Sequence, residues 1–454
     1  MLRNILIGSF LFLFFQIKGQ HELLLHLHDS IPQVNLTNPG KWSNDKIYVS
    51  LPSVSLNYTN SSFSYNDLIK QPENEGESLR LTLDDAIEAL AEKNYLFANL
   101  NINLLTAGYS NEKNHFGFYL SEKLNASLMY RKTLLELIRF GNEPYLGEEL
   151  NIAPDVSLLN YREWAFSYGR KINDLTIGAR AKYIQGLGNI TSNNNELNIL
   201  THPEDYRITL SSNLDINTAR TEGFEEIISP FSNFGNHGFG MDFGASYKIN
   251  DNFSISASVL DLGFINWENG VNYSTNQVYE FDGIDAFNFG DSLNFDSYLD
   301  SIQQLIDIQE NEVSFRSYLQ PSTYLAASYL YKEKHRFSVQ FFNDYFNSRL
   351  VPSITFGYST KFNKLFNLPI ENNLGVYWSL RNQSPYNLGL NYAIRFKNVQ
   401  IFLSGDNLLS FLFPRYEIPL NQLAPVFKED SSRTFTIPGN LRNYNFRVGI
   451  NILF

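Results

Sequence analysis

The sequence has no cysteine. That removes disulfide scaffolds, thiolate zinc sites, iron–sulfur clusters and cysteine nucleophiles in one step. It has no run of about eighteen consecutive apolar residues, so it offers no helix able to cross a bilayer. It has no block of basic residues, and 35 Lys and Arg against 47 Asp and Glu leave a net charge of −12. That balance argues against a nucleic-acid-binding surface. Charge is scarce altogether, at 18% where soluble domains carry about 25%. Common catalytic motifs are missing too: there is no G-x-S-x-G elbow, no H-E-x-x-H and no phosphate-binding loop.

Aromatic residues are what the chain has in excess: 37 Phe, 27 Tyr and 4 Trp among 454 residues, 15% of the total. Few charges and many aromatics suit a barrel that is greasy outside and wet inside. The first twenty residues read as an address. Arg3 precedes an apolar run from Ile5 to Phe15, and the chain turns polar at Gln16, Lys18, Gly19 and Gln20. This is the pattern of a signal peptide over 1–20, cleaved near Gly19 or Gln20. No Cys follows it, which excludes a lipoprotein anchor. Residues 21–454 then form one domain of net charge −14, with 33 basic and 47 acidic residues.

The mature chain alternates with period two over long distances. Phe239, Met241, Phe243, Ala245, Tyr247 and Ile249 share one face; Gly240, Asp242, Gly244, Ser246 and Lys248 share the other. After Asn250-Asp251-Asn252 the pattern resumes, with Phe253, Ile255, Ala257 and Val259 against Ser254, Ser256 and Ser258. Such a pair predicts a β-hairpin with one apolar and one polar face. The same grammar recurs around Asn173-Asp174, Glu333-Lys334 and Lys397-Asn398. These runs reach about ten to twelve residues, the length a tilted strand needs to cross a bilayer. Strands of soluble sandwiches average about five or six.

Short turns alternate with longer connections, the outer-membrane pattern in which short turns face the periplasm. Turns at 173–174, 202–204, 250–252, 333–334 and 397–398 alternate with connections at 188–191, 217–237, 269–320, 347–350, 382–384 and 407–441. Parity predicts thirteen strands from residue 155 to the end. At least one more is expected among 49–59, 96–108 and 113–128. Both barrel ends on the short-turn rim require an even count. The expected fold is therefore all-β: a single transmembrane antiparallel β-barrel of about 14 strands, within 12–16. On the final strand Tyr444, Phe446, Val448, Ile450, Ile452 and Phe454 share a face, and the terminal aromatic resembles the signal read by bacterial barrel-insertion machinery.

Three segments carry helical spacing instead. Thr82 caps a stretch running to Lys93, with Asp85 three residues on. Leu134, Leu135, Leu137 and Ile138 precede Gly141. Phe295, Tyr298, Leu299, Ile302, Leu305 and Ile306 line a third face. Their apolar sides must be buried, in the lumen or over a mouth. The stretch between the cleavage site and the first strand is too short for a folded plug domain, so a TonB-type receptor is not expected.

Candidate chemistry is sparse. His21, His26 and His28 with Glu22 and Asp29 have ligand chemistry, but on an unrestrained tail they read as coincidence. The other histidines, His115, His202, His237 and His335, sit beside turns or strand ends and read as interfacial or solvated. An acidic loop (Asp282, Asp285, Asp291, Asp296, Asp300, Asp307, Glu310, Glu312) lacks EF-hand spacing and reads as a solvated surface. Inward Arg180, Lys182, Lys248, Arg336 and Arg395 form either a positive lumen stripe or salt-bridge struts. No catalytic, cofactor or metal residue is assigned, and an enzyme is not expected.

Val259-Leu260-Asp261-Leu262-Gly263-Phe264-Ile265-Asn266-Trp267 resembles the LDLGxIxW strand of Bacteroidota outer-membrane barrels related to fatty-acid-transporter-like and PorV-like proteins. Gln320-Pro321-Ser322-Thr323-Tyr324, Gly405-Asp406-Asn407-Leu408-Leu409 and the pair Tyr161-Arg162-Glu163-Trp164 and Tyr168-Gly169-Arg170-Lys171-Ile172 fit the same group. The resemblance implies passage or binding of small, hydrophobic solutes through an outer-membrane barrel. The alternative is a structural partner of a type IX secretion or gliding complex, and a third reading is a barrel enzyme acting on lipids. Expected partners are outer-membrane lipid, lipopolysaccharide and the insertion machinery that reads Phe454.

Overall fold

The computed structural model describes residues 23–63, 69–70, 80–81, 83–192, 195–220, 235–281, 308–346, 349–363, 370–381, 384–407, 415–419, 434–438 and 443–454. The expected signal peptide, the helical patch at 295–306 and most of the acidic loop lie outside them.

Fourteen antiparallel strands close on themselves. They are β1 (Ile47–Ser50 and Ser53–Asn60), β2 (Lys93–Ser110), β3 (Asn114–Arg131), β4 (Asp155–Ile172), β5 (Leu175–Ser192), β6 (Ile208–Ala219 and His237–Lys248) and β7 (Phe253–Phe281). Then come β8 (Gln309–Tyr318 and Ser322–Tyr331), β9 (His335–Phe346), β10 (Arg349–Phe362), β11 (Glu371–Arg381), β12 (Ser384–Phe396), β13 (Val399–Asp406) and β14 (Asn443–Leu453). The barrel shuts where β14 pairs with β1, Tyr48 opposite Leu453 and Val54 opposite Val448. Closure leaves no sheet edge to be satisfied by lipid.

The count of 14 is as expected, but its distribution is not. Eleven strands, rather than thirteen, follow residue 155, and three precede it. The stretch 188–191 is not a connection; it lies within β5, where Asn160 faces Gly188 and Tyr161 faces Gly186, so Leu187 is an extra residue. That bulge interrupts alternation without ending the strand. The turn at 202–204 belongs to the opposite rim, because the strand Glu196–Thr201 pairs with the start of β6 and with Glu149–Asn151. Both halves of β6 pair with β5 and β7, so residues 220–236 interrupt one strand instead of joining two.

Side chains divide as the period requires. Phe166 is 65% exposed, and Phe243, Leu325, Phe341, Phe356, Trp378 and Ile401 are exposed beside it on the outer face. Ser167, Thr355, Ser379, Asn391 and Asn451 are buried on the inner face. An outer face this apolar is stable only against hydrocarbon. The turns after β4, β6, β8 and β12 are tight, with Asn173, Lys332, Glu333 and Lys397 in the left-handed region. These turns share a rim with Ile47 and Phe454.

Two helices stand near the other rim. α1 (Leu83–Ala89) and α2 (Lys132–Phe140) fall where helical spacing places them, and α2 stops at Gly141 with φ 74°. Arg139 of α2 pairs with Asp84 of α1 at 2.7 Å. α2 has no buried residue, so it lies at the rim and does not fill the lumen.

The lipid-facing assignment makes a quantitative prediction. Phe356→Lys puts a cation in the hydrocarbon band and should cost about 2–4 kcal/mol. Urea titration of the barrel refolded into phospholipid vesicles measures it, and a shift below about 0.5 kcal/mol would contradict a lipid contact at that position.

Candidate functional site: the occluded lumen

Residues 23–46 run inside the barrel, in the half nearest the short-turn rim, and join β1 at Ile47. Leu23, Leu24, Leu25, His26, Leu27 and His28 are all buried. Each leucine sits against an inward aromatic or alanine of the wall. Leu23 packs with Leu260, Tyr324 and Phe342; Leu24 and Leu27 pack with Ala326 and Tyr377; Leu25 and Ile31 pack with Ala393 and Phe402. These are apolar niches in an otherwise polar interior.

The segment has little regular structure, only one turn each at Leu25–Leu27 and Val34–Thr37. Its backbone carbonyls need partners, because a buried, unpaired peptide group costs about 1–3 kcal/mol. Local turns supply some, as from Leu27 to Leu24 and from His28 to Leu25, and the wall supplies others. Gln340 donates to the Leu23 carbonyl at 2.9 Å, Asn391 to Leu24 at 2.8 Å, Gln400 to Ser30 at 2.9 Å and Ser258 to Thr37 at 2.6 Å. The Arg180 guanidinium donates to the carbonyls of Asn35 and Leu36. Gln33 donates to Ser50 and Asn451. Asn38 reaches the wall backbone itself, donating to the carbonyls of Ala245 and Ala257 at 3.1 and 3.2 Å. Gly178 and Gly244 make that approach feasible, since a Cβ at either would collide with Pro39 or Asn38.

The histidines at the start of the segment are therefore not on an unrestrained tail. His26 stacks on Tyr324 with ring centroids 4.8 Å apart, and its Nε2 lies 3.1 Å from Ser256 Oγ. His28 is buried with neither ring nitrogen in a hydrogen bond. Among the described residues no group of three His, Asp or Glu side chains is placed to hold a metal; His21 and Glu22 lie outside them.

The inward cations are struts rather than a stripe. Arg180 pairs with Asp242 at 2.8 Å, and Lys182 pairs with Asp242 at 2.7 Å and Asp261 at 2.6 Å. Lys123 pairs with Glu163 at 3.0 Å. Arg336 pairs with Asp29, which also binds Lys41 at 3.3 Å, and Arg395 pairs with Asp45 at 2.8 Å. Lys248 is exposed at the rim. Sequence reading put Asp242 on the polar face but missed Asp261. Asp261 is invisible to alternation because it occupies a bulge: Met241 faces Leu262 and Phe243 faces Val259, leaving Leu260 and Asp261 of β7 opposite Asp242 alone on β6. Asp261 there has φ 59°, and its amide donates to Asp242 Oδ1 at 2.7 Å. The bulge turns both Leu260 and Asp261 inward. Over the plug lies a cavity of about 70 Å³, floored by Leu36 and Thr37 and walled by Asn101, Asn103, Lys123 and Asp261. It has room for a few waters and is far below the several hundred Å³ of a solute site.

A model of the family of unknown function DUF5723 matches residues 39–406. The chain belongs to that family. No curated protein matches the sequence. Among solved structures, the DUF5723 barrel is similar to the Pseudomonas putida toluene transporter TodX, at 10% identity over 93% of this chain and 94% of that one, with a TM-score of 0.42. It is similar to a Pseudomonas aeruginosa FadL homologue at 11% identity over 94% of both chains, TM-score 0.40. It is also similar to the Ralstonia pickettii toluene transporter TbuX at 11% identity over 97% and 100%, TM-score 0.32.

Two predictions follow from the geometry of the DUF5723 lumen. Asp242→Asn strips a carboxylate from between Arg180 and Lys182 and should cost about 3–5 kcal/mol, since it leaves uncompensated buried charge. The same urea titration reads it. The second concerns pH. Burial lowers the His28 pKa from 6.5 to about 4, with Lys361 adding to the effect and Asp29 opposing it. A depressed histidine pKa means that the docked segment holds the neutral ring, so docking weakens as pH falls below 6.5 and the loss is complete near 4. The full effect is on the order of 3 kcal/mol. Asp29, held low against its own burial by Arg336 and Lys41, adds a further loss only once pH drops below about 4. Protease cleavage within residues 23–46 should therefore rise between pH 6.5 and 4, and His28→Leu should flatten that rise.

Proposed function

We propose that this protein is an outer-membrane channel for small solutes with an apolar part, closed at rest by residues 23–46. One observation carries the reading. The segment that occludes the lumen fills niches lined by Tyr324, Phe342, Tyr377 and Phe402 with leucine side chains. When it withdraws, those niches offer a solute the same apolar contact, worth about 25 cal/mol per Å² buried. The neighbouring Ser, Asn and Gln side chains regain water or bind the solute's polar end. The predicted signal peptide, the apolar outer band and Phe454 on the terminal strand support the outer membrane as its place, with the short-turn rim periplasmic.

Deleting residues 23–38 removes the leucines and the Asn38 contact but retains the approach to β1. The expected result is a liposome permeability to small aromatic and aliphatic solutes well above that of the full-length barrel. A deletion variant that folds, shows heat-modifiable mobility and stays sealed to every solute tested would refute the channel reading. It would favour a structural role beside other surface proteins.

A further inference from the structure

On the outside of the wall, across one sheet thickness from the Asn38-Pro39-Gly40 turn, lies a groove of about 550 Å³. Outward Ala179, Ala245, Ala257 and Thr323 form its floor, and Tyr168, Ile177, Phe243 and Leu325 stand around it. Strand register makes the floor continuous: Ala245 faces Ala257 and Ile177, Ala179 faces Phe243, and Thr323 faces Val259. Contact with the plug explains the glycines at 178 and 244 on the inner face. It does not explain why the outer residues on the same strands are alanines where Phe, Ile and Leu occupy neighbouring outward positions. The floor is cut away from the lipid side.

The groove lies within the hydrocarbon-facing band, and its size is that of a pocket for one extended chain. Its edge nearest the short-turn rim is Arg170, exposed and opposite Asn114 and Ile177 in the register. Lys113, Lys171 and Lys248 are exposed on the same stretch of rim, with the carboxylates Glu112, Asp174 and Asp251. Of these charges only Arg170 lines the groove. An apolar trough ending at a guanidinium matches an acyl chain ending at a phosphate.

We propose that this groove binds one acyl chain of a glycerophospholipid, with the lipid phosphate on Arg170. A lipid there belongs to the leaflet on the short-turn side, where the headgroup is level with Arg170. The site does not depend on whether the lumen opens.

The test uses the full-length barrel in mild detergent, loaded with phosphatidylglycerol and followed by native mass spectrometry. The wild type should retain one phospholipid per barrel. Ala245→Phe with Ala257→Phe fills the trough and should lower retention about tenfold, equivalent to about 1.4 kcal/mol. Ala107→Phe, at an outward position of β2 away from the groove, should leave retention unchanged. Arg170→Gln should weaken retention of phosphatidylglycerol but not of diacylglycerol, which has the chains without the phosphate. Equal retention by wild type and a folded groove-filled variant would overturn the proposal. Preferential retention of lipid A over phosphatidylglycerol would also overturn it. Should the double variant fail to fold, undiminished phosphatidylglycerol retention by Arg170→Gln alone would do so.

Discussion

A peptide segment without a sheet of its own can rest inside a barrel only if the wall satisfies the carbonyls that its own turns leave over. That accounting governs the interior of this protein. The strand ladders consume the backbone N–H groups of the wall, so the donors to the segment's carbonyls must be side chains, and they must project inward at the right heights. Gln340, Asn391, Gln400, Ser258 and Arg180 do this from five strands, β9, β12, β13, β7 and β5. An interior of Ser, Asn and Gln is what a hydrated channel tolerates. Here the same residue types work as a cradle for a polypeptide, and the water they would otherwise bind is replaced by peptide oxygen.

The barrel was legible because lipid enforces a simple rule on every strand. Outward Phe337, Val339 and Phe341 or Val376, Trp378 and Leu380 can be read from spacing alone, and the even count follows from closure. The interior was not legible, for physical reasons. A bulge shifts the phase of alternation by one residue, so Asp261 appears on the wrong face and the ion cluster around Lys182 loses a member. Leu187 breaks the pattern within β5 and resembles the end of a strand. The plug gave no periodic signal, since Leu23 to His28 is neither two-fold nor helical in spacing. Its meaning lies in partners more than two hundred residues away, as with His26 and Ser256. The inward cations and Asp242 could be listed from the sequence, but whether they were a stripe or struts depended on Asp261, whose facing was hidden, and on cross-strand pairings that spacing does not reveal.

The two sets of ion pairs differ in what their separation would cost. Arg180, Lys182, Asp242 and Glu163 are almost fully buried, and all four belong to the wall. Their desolvation is compensated within the barrel whether or not the segment is present. Arg180 therefore remains paired with Asp242 if Asn35 and Leu36 leave it, and no bare charge is stranded in the lumen. Among the described residues, the pairs that cross between segment and wall are Asp29 with Arg336 and Asp45 with Arg395. Both lie toward the rim, where the arginine side chains keep 24% and 29% of their exposure. Charges that stay partly wet exchange partners for water at a smaller cost than fully buried ones. A segment fixed by buried ion pairs would be a permanent part of the core. This one is held by hydrogen bonds from neutral side chains and from an arginine whose charge is already paired within the wall, by leucines in niches and by salt bridges toward the rim, so its departure would strand no fully buried charge.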